Sequence, residues 1–359
     1  MQIKSLIFGK NKVGDVMKGE KDLKNYRIRT DLVIDILDDA LTDDNIKIDK
    51  RVIKDIEVLD VEILNANNKL NKKMGKYITI SFEDVTDKDN KDKLEKVLTE
   101  ELKDILNYLK IATDNKCLVI GLGNQNSTPD SLGPKVIDSI LVTKYLYDID
   151  NISVDKRYRN VSAFSPGVTG VTGIESSDII LGIVEKTHPD FLIIIDALAS
   201  SSIDRVNKTI QISTSGISPG SGVYNNRGEL SKETLGIPVI SIGIPTVIEA
   251  FVLVSDTIKY LFKNFSYNKE NYSTNKLKPI NLRDYTDYPD NLSLEEKKQL
   301  LGEIGLLSED DVKELIFEVL TPIGYNMMIT PKEIDFVMEK TSLMLADAIN
   351  KALHQDFDR

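Results

Sequence analysis

Along this chain the period of apolar and polar positions changes several times, and each change predicts an element. Residues 1–25 are rich in Lys, Gly, Asn and Asp with few periodic apolar positions, which reads as a loosely held leader; order is expected from Tyr26 onward. Over 52–85 the pattern alternates, in Ile56-Glu-Val-Leu-Asp-Val-Glu-Ile-Leu64 and Gly75-Lys-Tyr-Ile-Thr-Ile-Ser-Phe82 with an Asn/Lys-rich turn between them, and predicts a β-hairpin. Leu and Ile at three-and-four spacing over 88–112 predict an amphipathic helix. From Cys117 the pattern switches to strands alternating with helices. Strands are predicted at 117–121, 191–195, 209–213 and 238–242, helices at 130–147 and 174–187, and Gly/Ser/Pro loops at 162–173 and 215–222. Pro245 reads as the first residue of a further helix reaching Leu261. Residues 263–294 read as an exposed excursion, and helical patterns over 295–320 and 331–354 close the chain, with no internal repeat. Such alternation implies an α/β fold: a mostly parallel sheet flanked by helices, with an added N-terminal β-hairpin region and C-terminal helices.

Composition narrows the chemistry more than the fold. With 359 residues, 41% of them hydrophobic and 29% charged, the chain has material for a sizeable core. No apolar run approaches the ~20 residues of a membrane span, and the stretch from Met1 to Gly9 is too short and unflanked for a signal peptide, so a soluble cytoplasmic protein is expected. The net charge of −11 argues against a broad nucleic-acid-binding face. A single cysteine, Cys117, precludes an intrachain disulfide and a Cys-cluster zinc site; inside an apolar strand it reads as a buried, inert thiol. The two histidines are His188, in a helix-to-strand loop, and His354, at the end of the last helix where a cation suits the dipole. Ser-His-Asp, Cys-His and His-rich zinc mechanisms are therefore short of parts.

Two acids remain at informative places. Asp196 ends the apolar run Phe191-Leu-Ile-Ile-Ile, and Asp130 follows the strand Cys117–Gly121 in the helix-opening Ser127-Thr-Pro-Asp130; open α/β sheets carry their chemistry at that edge. Taken singly, Asp130 reads as a complement to a helix dipole and Asp196 as a turn cap. Taken together they can form a carboxylate dyad, in which one acid keeps its proton and the other is a base for water. The Gly121-Leu-Gly-Asn124 turn lacks the third Gly, the Lys and the ribose-binding acid of nucleotide motifs, so no cofactor is assigned. The loops carrying Gly167, Gly170, Gly173, Gly220 and Gly222 are richer in Gly than packing needs, and are candidate holders of an extended peptide or an oxyanion. Glu175 reads as a first-turn acid.

Five stretches carry a resemblance: Asn124-Gln-Asn-Ser-Thr-Pro-Asp-Ser-Leu-Gly-Pro134, Ser165-Pro-Gly-Val-Thr-Gly-Val-Thr-Gly-Ile-Glu175, Asp190-Phe-Leu-Ile-Ile-Ile-Asp-Ala-Leu-Ala-Ser200, Ser218-Pro-Gly-Ser-Gly-Val223 and Gly236-Ile-Pro-Val-Ile-Ser-Ile-Gly-Ile-Pro-Thr246. In this order, between Tyr26 and Gln355, they closely resemble the spore germination proteases of Bacillus- and Clostridium-type bacteria. The resemblance implies an atypical aspartic-type endopeptidase made as a zymogen, assembled as a homotetramer, degrading small acid-soluble spore proteins in the spore core, with a fold similar to hydrogenase-maturation peptidases. It puts the catalytic acids on Asp130 and Asp196 and implies no metal and no cofactor. It departs at Gln125, where the family commonly has an aromatic, and at Ser218, where it commonly has a His.

The same resemblance bears on the leader. Arg29-Thr-Asp-Leu-Val-Ile-Asp35 has an acid, then aliphatic residues, then a second acid, similar to the pattern the family cuts in its substrates. The expectation is a propeptide of residues 1–31 removed between Asp31 and Leu32, and one peptidase domain over 32–359, with the late helices 295–320 and 331–354 as candidate subunit contacts. The alternatives are a metal-assisted peptidase using the same two acids and a non-catalytic nickel- or nucleotide-binding protein of the same fold.

Overall fold

A computed structural model of the chain describes residues 32–40, 43–149, 153–218, 228–271, 285, 286, 288–320, 327–355 and 357. The predicted leader, Asp31 included, lies outside the described residues.

The nine strands among them form one sheet in the order β1-β2-β3-β7-β8-β6-β4-β5, with β9 paired to β8. Strands β4 (Cys117–Gly121), β5 (Val161–Phe164), β6 (Phe191–Ser200) and β8 (Val239–Glu249) form a parallel part. The sheet flanked by helices is the α/β architecture expected, but with three parallel and five antiparallel pairs among the described strands it is mixed and not mostly parallel. β4 is buried throughout, and every residue of β6 except Ala197 is buried, which is why both read as continuous apolar runs. The remaining pairs are antiparallel: β1 (Ile46–Ile53), β2 (Ile56–Ile63), β3 (Gly75–Ser81), β7 (Thr209–Ser213) and β9 (Met328–Ile329) extend the sheet beyond β8. The predicted hairpin is thus β2 and β3 of a meander built into the main sheet. The first strand escaped the alternation rule because it is an edge, with Lys47, Asp49 and Lys50 exposed. Its tight turn uses Lys54 and Asp55 at φ 53 and 69, a left-handed pair usually signalled by Asn or Gly.

Side chains alternate between the sheet faces. On one face Val58, Ile78, Val119, Ile193, Ile195, Ile210, Ile212, Ile242 and Ile244 share a core with the helices Lys88–Tyr108, Leu132–Ile137 and Ile334–Leu353. On the other lie two separate apolar clusters. One joins Leu118, Ile120, Leu192 and Ile194 to the helix Ser176–Thr187; the second joins Leu59, Val61, Ile63 and Tyr77 to Val33 of the 3-10 helix Val33–Ala40.

Several boundaries differ from expectation. The segment read as one helix over 130–147 is a 3-10 turn, Thr128–Asp130, followed by the short helices Leu132–Ile137 and Lys144–Tyr147. Pro245 does not open a helix: β8 runs on to Glu249 and the helix Ala250–Glu270 follows. Proline is tolerated there because β7 stops pairing at Gln211↔Gly243 and the β6 partner has a register shift just past Leu198↔Pro245. The stretch 295–320 divides into Leu294–Leu301, a 3-10 turn and Glu309–Leu320. The last helix spends its apolar stripe inside the chain, burying Met338, Leu345 and Ile349, so that stripe is core and not a subunit contact.

Candidate functional site

The two acids singled out from the sequence sit on adjacent elements. β4 pairs with β6 up to Gly121↔Ile195, and Leu122 N donates to the Ile195 carbonyl at 2.8 Å, so Asp196 lies one residue past the point where β4 ends. It is not itself a strand end. β6 continues to Ser200, leaving Asp196 buried in mid-strand, in register with Gly243 of β8; its Oδ1 accepts the Ala197 N–H at 2.9 Å.

Asp130 closes the 3-10 turn that folds back over the end of β4. The Asn124 N–H donates to Asp130 Oδ2 at 2.9 Å and to the Asp130 carbonyl at 3.0 Å. Thr246 Oγ1 of β8 donates to the Pro129 carbonyl at 2.7 Å, tying the turn to the strand beside β6. Ser127 stands at the N-cap but makes no side-chain cap bond. The glycines of this turn have a packing role: Gly123 has φ 115, and a Cβ there would lie 2.0 Å from the Asp130 carbonyl oxygen. The Gly121-Leu-Gly-Asn124 turn therefore serves close approach, and its Asn124 N–H is already committed to Asp130.

Across the sheet from Asp196 the floor is polar. Ile210 and Ile212 point to the large core, so Gln211 faces the opposite side, where Asp196 also points because Ile193 and Ile195 share that core. Gln211 pairs with Gly243, which pairs with Asp196, so the three form one row across β7, β8 and β6. Gly243 contributes no side chain, and a Cβ there would meet Leu198 Cδ1 at 2.4 Å. Ser213 and Ser241 form the next row, and this polar strip separates the two apolar clusters of that face.

The first described residues of the chain lie against the strip. Leu32 and Val33 are fully buried, and Val33 N donates to Gln211 Oε1 at 2.7 Å. Asp35 Oδ2 accepts from Ser201 Oγ at 2.7 Å and Ser201 N at 3.3 Å, and Asp35 Oδ1 forms an ion pair with Arg205.

Gly167 and Gly173, both at φ 74, are required by backbone conformation in the loop after β5, while Gly170 lies in the one-turn helix Thr169–Thr172 with open space where a Cβ would stand. Ser165 Oγ donates to the Gly121 carbonyl at 2.7 Å, fastening this loop to the end of β4, and Glu175 accepts from Thr169 Oγ1 at 3.1 Å. Gly220 and Gly222 lie outside the described residues.

Three other titratable groups are buried. The Cys117 thiol is fully buried and its pKa pushed up by desolvation. His354 does not serve as the cation expected at its helix end: it is buried, desolvation lowers its pKa, and its Nδ1 accepts the Arg159 N–H at 3.1 Å. Glu249, at the end of β8, is buried, its Oε2 has no hydrogen-bond partner among the described residues, and burial raises its pKa to about 7. Among the described residues no group of three or more His, Cys, Asp or Glu side chains is gathered as a metal site, and no helix is long and apolar enough to cross a membrane.

The sequence pattern of the germination protease family matches residues 35–359. This chain belongs to the germination protease family. It is 45% identical to a germination protease of Oceanobacillus iheyensis over 93% of this chain and 96% of the relative. The corresponding values are 43%, 94% and 96% for the germination protease of Bacillus licheniformis, and 41%, 96% and 98% for that of Bacillus cereus. A partial likeness extends to a [NiFe] hydrogenase maturation protease, HycI from Thermococcus kodakarensis, at 17% identity and a TM-score of 0.27 over 41% of this chain and 80% of that one. Membership makes the chain a germination peptidase. Gln211, Ser201, Arg205 and Glu249 were not singled out by the sequence. Gln211 is a polar residue within an apolar strand, which reads as ordinary outward alternation, Glu249 falls in the stretch read as a helix from Pro245, and Arg205 follows a Ser-rich turn that carries no motif.

Proposed function

We propose that this germination protease is an aspartic-type endopeptidase, made as a zymogen, in which Asp130 and Asp196 form a dyad that activates water. One carboxyl holds a proton for the scissile carbonyl while the other accepts a proton from the attacking water; the leaving amine then takes a proton from the dyad. The substrates are small acid-soluble spore proteins in the spore core, and the first cut is in the enzyme's own chain, between Asp31 and Leu32, releasing residues 1–31 and leaving one peptidase domain. Homotetramer assembly belongs to the same reading, as does peptide binding by the glycine loops around Gly167, Gly170, Gly173, Gly220 and Gly222. No metal or cofactor takes part.

The observation that supports this best is the position of the chain just after the proposed cut. Leu32 is buried, and Val33 is bonded to Gln211, a residue two strands and roughly 10 Å from Asp196 along one row of the sheet. A protease must hold its substrate in such a place before it can cut.

Mildly acidic incubation of the full-length protein is expected to release residues 1–31, read as a mass change and a new N-terminus at Leu32. Asp130→Asn and Asp196→Asn are expected to stay full length and to leave a purified spore protein uncut, each losing well over tenfold in rate, equivalent to more than ~1.4 kcal/mol of barrier. Either mutant processing at the wild-type rate, or a mature N-terminus far from Leu32, refutes the assignment.

A further inference from the structure

A glutamine between two apolar clusters of a sheet face needs a reason, because a buried amide costs free energy that an aliphatic side chain in its place does not. Gln211 is 8% exposed and stands in β7 between Ile210 and Ile212, which pack into the large core on the other face. Its neighbours along the row supply no such reason. Gly243 has no side chain, and Thr79 of β3, paired with Gln211 on the other side, is buried with a hydroxyl that has no hydrogen-bond partner among the described residues. The bond at Gln211 Oε1 is instead to main chain: Val33 N donates to it at 2.7 Å, and both residues are buried.

This contact has three properties of a substrate grip. It is made to a backbone N–H, a group that every residue except proline carries, so it holds a peptide whatever the side chain. It is made in a dry place, where an N–H···O bond is electrostatically stronger than at the surface. It also shares a row with Asp196, two strand spacings or roughly 10 Å away. An extended residue covers ~3.3 Å, so the row takes about three residues of peptide: the one held and the two that flank the cut.

We infer that Gln211 is a positioning residue whose amide oxygen accepts the N–H of the second residue after the cut, first at Val33 in the enzyme's own chain and then in each protein substrate, which takes the place that Val33 holds here. Gln211 does not touch the reacting atoms. It fixes the register of the peptide, so that the bond one residue before the gripped N–H, and not its neighbours, meets the acids. The substrate class is an extended peptide with a free N–H at that position; proline there has none and is excluded. This role deepens the proposed dyad and rests on Asp196 being catalytic.

The test uses the active enzyme and two peptides carrying the sequence of residues 26–40. In the second peptide an ester oxygen replaces the N–H of Val33, while the bond between Asp31 and Leu32 stays an amide in both, and cleavage at that bond is read by mass. Wild type is expected to cleave the all-amide peptide about tenfold better in kcat/KM, the worth of one well-made buried hydrogen bond. Gln211→Leu, which has no acceptor, is expected to bring the two rates together by slowing the all-amide peptide alone, and Gln211→Glu, which keeps an acceptor oxygen, to retain the preference. A merely structural glutamine would change both rates alike, so an undiminished ratio in Gln211→Leu overturns this role and leaves the dyad standing. Equal cleavage of both peptides by wild type overturns it with no variant needed, which covers the case in which Gln211→Leu fails to fold. A wild-type enzyme that cuts neither peptide overturns the proposed active site, and this role with it.

Discussion

Replacing Glu249 by glutamine is expected to change how stability depends on pH, and the size of the change follows from burial. Glu249 is 7% exposed, its Oε2 has no hydrogen-bond partner among the described residues, and it stands at the N-cap of the helix Ala250–Glu270 without a side-chain cap bond. A helix N-terminus favours a carboxylate by ~0.3–1 kcal/mol. Desolvation outweighs that here, and the pKa rises from 4.5 to about 7. At ~1.4 kcal/mol for each tenfold change in proton affinity, the difference amounts to about 3 kcal/mol. The sign is set by which state holds the proton. Below pH 4.5 the carboxyl is protonated in both folded and unfolded chains; between 4.5 and about 7 the unfolded chain releases its proton while the folded one keeps it, so stability falls as pH rises; above 7 both are ionised and the full cost remains. Glutamine cannot ionise and removes this slope. Urea unfolding at fixed protein concentration should give similar midpoints for wild type and Glu249→Gln near pH 4.5 and a higher midpoint for the variant at pH 8. With m on the order of 3 kcal/mol/M for a chain of this size, the gap at pH 8 is about 1 M. A gap that stays constant across this range, or narrows as pH rises, would refute the burial argument.

Three further outcomes are expected. Gly123→Ala places a Cβ 2.0 Å from the Asp130 carbonyl on a residue at φ 115, so activity should fall far more than tenfold even where circular dichroism shows the fold retained; wild-type activity in that variant would separate the turn from function. Cys117 should resist alkylation in the native protein and react only after unfolding, because its thiol is buried and its pKa raised; rapid native labelling seen by mass spectrometry would contradict its place in β4. Cleavage should survive dialysis against chelator, since Asp130 and Asp196 by themselves are a poor donor set for zinc. Loss that one particular divalent ion reverses would favour the metal-assisted alternative.

The sequence by itself determined the elements whose signal is local. β4 and β6 are buried on both faces, so their apolar runs had to read as interior strands, and Asp130 and Asp196 stood out as acids following such runs. The long helices at 88–108 and 334–353 were legible because each buries one stripe. What tertiary structure alone decided is everything that depends on neighbours. Pro245 looked like a helix start because the rule that keeps proline out of sheets cannot know that β7 has already stopped pairing. The edge strand β1 was hidden because an edge needs no apolar alternation. Asp196 became a mid-strand residue because β6 has a partner in β8 beyond the end of β4, and strand pairing sets strand length. Gln211, Ser201 and Arg205 carry no signature at all. Gln211 shares a row with Asp196 only because β7 and β8 run side by side, and Ser201 and Arg205, just after β6, meet Asp35 only because the chain's first described turn lies across the sheet; the Val33–Gln211 bond joins residues 178 positions apart, which no local pattern can encode.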